Sequence, residues 1–206
     1  MKKKKFFITA ATVAAAIFFA AGCNNATPAK EETTATATTP VATAVTNPNF
    51  EIAPLEYAAL SEKALDHFTK FEYDAWAEMM ADNVVYTFPD GDVDTRTKLE
   101  GKAAVLAWWK SWKEKSGVES MNLGEFNHFP LNVTGEPKGG ALKGIYDFAY
   151  FSNKMVMTGK TVALRMNFIT HFNAEKKIDR YTTYYDRSVI IKATGKNMIE
   201  ELKAKK

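Results

Sequence analysis

Residues 143–173 read KGIYDFAYFSNKMVMTGKTVALRMNFITHFN. Two runs rich in β-branched and aromatic residues stand either side of Thr158-Gly159-Lys160. That junction is too short for a crossover, so the runs pair as an antiparallel hairpin. On the second run Arg165, Asn167, Ile169 and His171 share one face, opposite Val162, Leu164, Met166 and Phe168. The period of two extends outward from Val118 to Lys192. It predicts strands near 119–133, 143–157, 161–173 and 177–192, joined through Gly139-Gly140 and Asn173-Ala174-Glu175-Lys176.

Upstream the period lengthens to three and four. After Pro54, a stripe of Tyr57, Leu60, Ala64, Leu65 and Phe68 predicts a first helix. A shorter helix follows, capped by Asp74 and burying Trp76, Met79 and Met80, and then Val84–Phe88 reads as a strand closed by Pro89-Asp90-Gly91. A third helix runs from about Lys102 to Lys115, with Val105, Trp108, Trp109 and Trp112 on one face and Gly117 as its stop. Three N-terminal helices packed on a strongly bent, mostly antiparallel sheet make an α+β cone. The indole face is either a core stripe or the wall of an aromatic cavity that grips a flat organic molecule.

The N-terminus reads as a bacterial lipoprotein signal. Lys2 to Lys5 precede an apolar run from Phe6 to Ala21, and Gly22 stands before Cys23, the only cysteine. The run falls short of the about 20 apolar residues of a spanning helix. The expected organisation is therefore a signal peptide over 1–22, a lipidated Cys23 with a Thr/Ala/Pro tether over 23–50, and a folded domain over 51–206. That places the protein in the cell envelope, lipid-anchored to a membrane, on the periplasmic or surface side of an outer membrane. Four of the 27 Lys+Arg lie in the signal, and the remaining 23 against 24 Asp+Glu leave a net charge of −1. Such a chain offers no field for nucleic acid. With its one thiol acylated it has no cysteine for a disulfide or metal, and no phosphate loop, metal-spaced carboxylates or serine elbow occurs, so no cofactor or metal is expected.

The order and spacing of several short motifs carry a family resemblance over most of residues 57–192. These are Asp74 with Ala81-Asp82-Asn83-Val84-Val85, Gly101-Lys102-Ala103-Ala104-Val105, Thr158-Gly159-Lys160, and Lys177-Ile178 followed by Asp186. The arrangement resembles the nuclear transport factor 2-like superfamily, and within it the SnoaL-like, polyketide cyclase-related group. The resemblance implies the cone fold but not one activity. The positions matching ketosteroid isomerase chemistry hold Phe88, Phe168 or Ile169, and Ala64, none able to move a proton. The cyclase group implies Asp186 as acid/base, with His171 on the preceding strand. If the polar strand faces point inward, Arg165, Asn167, His171, Tyr184 and Asp186 converge against Trp108, Trp109 and Trp112; if outward, they form a hydrated face or a dimer surface. Three functions stay open: a lipid-anchored domain binding a small apolar or aromatic molecule in the cone, a SnoaL-like enzyme using Asp186, and a homodimeric envelope interaction protein.

Overall fold

The computed structural model describes residues 47–92 and 94–203. The signal, Cys23 and most of the tether lie outside the described residues. Strands β1 (Phe50–Ile52), β2 (Met80–Thr87), β3 (Lys98–Glu100), β4 (Val118–Val133), β5 (Gly144–Met157), β6 (Lys160–Phe172) and β7 (Ile178–Tyr185) form one curved sheet in the order β1-β4-β5-β6-β7-β2-β3. Every pairing is antiparallel except β2 with β7, where Tyr86 faces Tyr181 in parallel register. Helices α1 (Glu56–Thr69), α2 (Tyr73–Glu78) and α3 (Lys102–Ser116) precede the long strands, and α4 (Arg187–Thr194) and α5 (Met198–Lys203) follow them. The family resemblance thus holds at the level of fold.

The helices form where the apolar stripes predicted. On α1 the buried positions Tyr57, Ser61, Ala64, Leu65 and Phe68 make one face. On α3 the three indoles and Val105 are buried together, and Gly117 stops the helix with φ 73°. A Cβ at Gly117 would also lie 2.5 Å from the Thr158 methyl, so helix end and hairpin turn meet there.

Some boundaries differ from the sequence reading. Asp74 sits inside the first turn of α2, whose N-cap is Glu72 without a side-chain cap, and Met80 already begins β2. The last strand stops at Tyr185, and 187–194 turns into α4 because Asp186 caps a helix there. The two short edge strands, β1 and β3, carry too few residues to show a period.

The concave side of the sheet is packed with rings. Trp109 touches Phe68, Tyr86, Phe88, Trp108 and Trp112 at centroid distances of 4.7–5.9 Å. Phe168 and Phe151 continue the cluster at 5.3 Å, and the Trp76 indole N–H donates to the Tyr181 hydroxyl at 3.1 Å. Burying this much aromatic surface supplies the main stabilisation of a domain that lacks disulfides.

Candidate functional site

Which strand face looks inward is settled by bulk. Val162, Leu164, Met166 and Phe168 of β6 are buried against the helices, so Arg165, Asn167, Ile169 and His171 lie on the convex side. The expected polar cluster therefore does not converge inside the cone. Exposed Arg165 pairs with Glu125 at 2.9 Å, and Asn167 donates to the Ala149 carbonyl. Tyr184 is exposed beneath Arg96, whose guanidinium lies 4.8 Å from its ring and donates to its hydroxyl. Trp108, Trp109 and Trp112 are buried in the ring cluster on the opposite side of the sheet.

Asp186 and His171 are held apart. Asp186 is exposed and accepts the Ser188 backbone N–H at 2.8 Å as the cap of α4. Its hydrogen bonds to Ser188 hold the carboxyl below its ordinary value, the reverse of the raised pKa that a dry cone would impose. Tyr185, its neighbour, pairs with Met166, whereas His171 pairs with Arg180. The separation of five residues along the sheet is about 17 Å. His171 is buried on the convex side with both nitrogens engaged: Nδ1 lies 2.5 Å from Asp179 Oδ1, and Nε2 2.9 Å from the Lys143 carbonyl oxygen.

A different histidine faces the helices. Strand β4 carries a register shift between Gly124 and Asn127, with Glu125 at φ 55°. Before this bulge Met121 and Leu123 face inward; after it Phe126, His128 and Pro130 do. The extra residue thus moves the inward set from odd to even numbers, putting His128 inside and Phe129 outside. His128 pairs directly with Ala149, whose small side chain leaves the imidazole room to reach diagonally to Asp147 on the inner face of β5. The His128 Nδ1–H donates to Asp147 Oδ2 at 2.8 Å, and the ring stacks on Phe126 at 5.4 Å and 14°.

The Asp147 side chain is fully buried and that of His128 only 12% exposed. The hydrogen bond to Asp147 raises the His128 pKa against the opposing effect of burial, with the Glu62 carboxylate helping. The pair thus favours the protonated imidazole more than water does. Glu62 of α1 approaches Nε2 to 3.9 Å, too far for a hydrogen bond. His128 Nε2, Asp147 Oδ1 and, on the buried face of α1, Ser61 Oγ are buried without hydrogen-bond partners. Glu62 and Phe126 also line a groove of about 280 Å³ between α1 and β4, together with Asp66, Lys70, Met121 and Leu123.

Chemically the arrangement presents a buried imidazole, oriented by a carboxylate, behind the Phe126 wall of a partly apolar groove. Among the described residues no three His, Cys, Asp or Glu side chains are grouped to hold a metal. The residues missed by sequence reading are His128 and Asp147. The one signal for them was Gly124 inside a strand, where an isolated glycine marks a bulge.

Comparison with known proteins agrees with this fold. A candidate polyketide cyclase from Silicibacter sp. superposes with a TM-score of 0.52 at 14% identity, over 69% of this chain and 97% of that one. A nuclear transport factor 2-like protein of unknown function from Burkholderia pseudomallei gives 0.51 at 14% identity, covering 67% and 96%. A further candidate polyketide cyclase, from Pseudomonas putida, gives 0.50 at 16% identity, covering 67% and 97%. No curated protein matches the chain at a significant level. The family model for the SnoaL-like domain matches residues 61–181, and on that match the chain belongs to the SnoaL-like domain family within the nuclear transport factor 2-like fold.

Proposed function

We propose that this domain binds a small aromatic or apolar molecule in the groove between α1 and β4, with the polar end of that molecule at the His128–Asp147 pair. The observation that supports this reading is the pair of buried polar atoms without hydrogen-bond partners, His128 Nε2 and Asp147 Oδ1, behind Phe126, which lines the groove and stacks on the His128 ring. A buried donor or acceptor left unmade is costly, and a bound polar group removes that cost. Phe126, Met121 and Leu123 suit the apolar body. Should a bound molecule react by proton transfer, His128 rather than Asp186 has the position to act as its acid. Titration with anilinonaphthalene sulfonate tests the site. Phe126→Ala and His128→Gln are expected to weaken binding by about tenfold, a loss of 1.4 kcal/mol, and Asp186→Ala to leave it unchanged. Equal binding by all three variants would overturn the reading.

The anchor belongs to the same proposal. Lipidation at Cys23 would hold the domain at an envelope membrane. A Cys23→Ser chain is then expected in the soluble fraction; if it still sediments with membranes and takes up labelled fatty acid, the anchor is not there.

A second reading, self-association, is favoured by the convex face. Phe129, Tyr150 and Tyr184 are 54%, 45% and 48% exposed, with Phe148 and Ile169 beside them in adjoining rows. An apolar band of this kind is rare on a monomer's surface and suits a two-fold interface between copies.

A further inference from the structure

Tyr146, His171 and Arg180 stand side by side on β5, β6 and β7, on the convex side of the sheet. All three reach the same loop, residues 134–143, which joins β4 to β5. The Tyr146 hydroxyl accepts the Leu142 N–H at 2.7 Å, Arg180 Nη1 donates to the Gly140 carbonyl at 2.6 Å, and His171 Nε2 meets the Lys143 carbonyl at 2.9 Å. His171 Nδ1 simultaneously meets a carboxylate oxygen of Asp179.

Both partners of the His171 ring are acceptors. A carbonyl and a carboxylate have no proton to offer, so each bond needs an N–H from the imidazole. A neutral imidazole has one N–H and an imidazolium has two. Both contacts are made together only by the charged ring.

We propose that His171 is a proton-operated latch on the 134–143 loop. As imidazolium it ties the Lys143 carbonyl to Asp179 and so to β7. On losing a proton it keeps one N–H, which goes to the stronger, charged acceptor Asp179, and the Lys143 carbonyl then faces a bare nitrogen lone pair. The charged and titratable groups facing the ring are Asp179 and Arg180 from β7, Tyr146 from β5 with its ring 4.5 Å away, and the Lys143–Glu136 ion pair of the loop itself. Gly144 makes the contact possible: its φ is 114°, and a Cβ there would lie 2.9 Å from His171 Nε2. The loop borders the exposed aromatic band, so its release uncovers the adjoining row at Tyr146.

The test uses the full chain in solution. The ¹⁵N shifts of the His171 ring follow its protonation, and amide exchange of Gly140 to Lys143, corrected for intrinsic rates, follows the loop. Exchange is expected to speed up about fivefold, the worth of one hydrogen bond, over the pH interval in which the ring loses its proton. Asp179→Asn should change that step, because the ring then chooses between two neutral acceptors. Gly144→Ala should free the loop at every pH and abolish the step. Flat exchange across the wild-type titration overturns the proposal on its own, as does a step that survives unmoved in either variant.

Discussion

His128 Nδ1 lies 2.8 Å from Asp147 Oδ2 although the two residues are not cross-strand partners; His128 faces Ala149 and Asp147 faces Pro130. The diagonal contact exists because Ala149 is small and because the β4 bulge turns His128 inward. An imidazole and a carboxyl group thereby meet on the helix side of the sheet, where an unpaired charge would be expensive.

The pH dependence of stability follows from the direction of the His128 shift. Its folded pKa is raised above 6.5, mainly by Asp147. The stabilisation is fully present below the unfolded value and is lost as pH rises through the folded one. Thermal melts should therefore show stability falling above about pH 6.5, and His128→Gln should remove that slope.

Removing the imidazole should hurt more than removing the carboxylate. His128→Ala strands a fully buried carboxylate, whereas the imidazole left by Asp147→Ala can shed its proton; breaking a buried pair costs about 3–5 kcal/mol. Denaturant unfolding at pH 6 and pH 8 checks this, with the larger loss expected at pH 6, where His128 is charged.

Trp109 is the hub of the ring cluster, so Trp109→Ala should cost about 3–5 kcal/mol. Urea midpoints at constant m-value measure it. A loss within that of an exposed substitution such as Tyr150→Ala would mean that the cluster does not support the core.

On the convex face, Phe129→Lys and Tyr150→Lys should leave the melting temperature nearly unchanged, since both side chains are about half exposed. If two copies pair through this band, light scattering will show the variants as monomers where the wild type is a dimer.

Asp186→Ala is expected to fray α4 without weakening probe binding at His128. The cap works while the carboxylate is charged. Because its folded pKa is lowered, its contribution is present above the unfolded value and disappears as pH falls through the folded one. Amide exchange of Ser188 to Ile191 reports it.

The core was legible because large side chains repeat. Trp108, Trp109 and Trp112 at helical spacing need a common buried face, and the alternation of Val162, Leu164, Met166 and Phe168 needs a covered side. The inner polar pair was not legible. Strand alternation carried through Gly124 without a bulge puts His128 on the solvent side, and the one-residue insertion reverses every assignment beyond it. Asp186 misled for a related reason: an aspartate at the end of a strand-like run is equally the first residue of a capped helix, and Ser188 decides for the cap.

The parallel pairing of β2 with β7 bears on the order in which the chain can be assembled. Strand β2 is made early, yet its neighbours are β3 and β7, and β7 begins only at Ile178. A nascent chain that has emerged only as far as β6 has no surface to join β2 and β3 to the rest of the sheet, and Trp76 has no Tyr181 hydroxyl to meet. The domain therefore closes only once β7 has emerged, and until then its N-terminal helices stay available to whatever carries an unfolded chain.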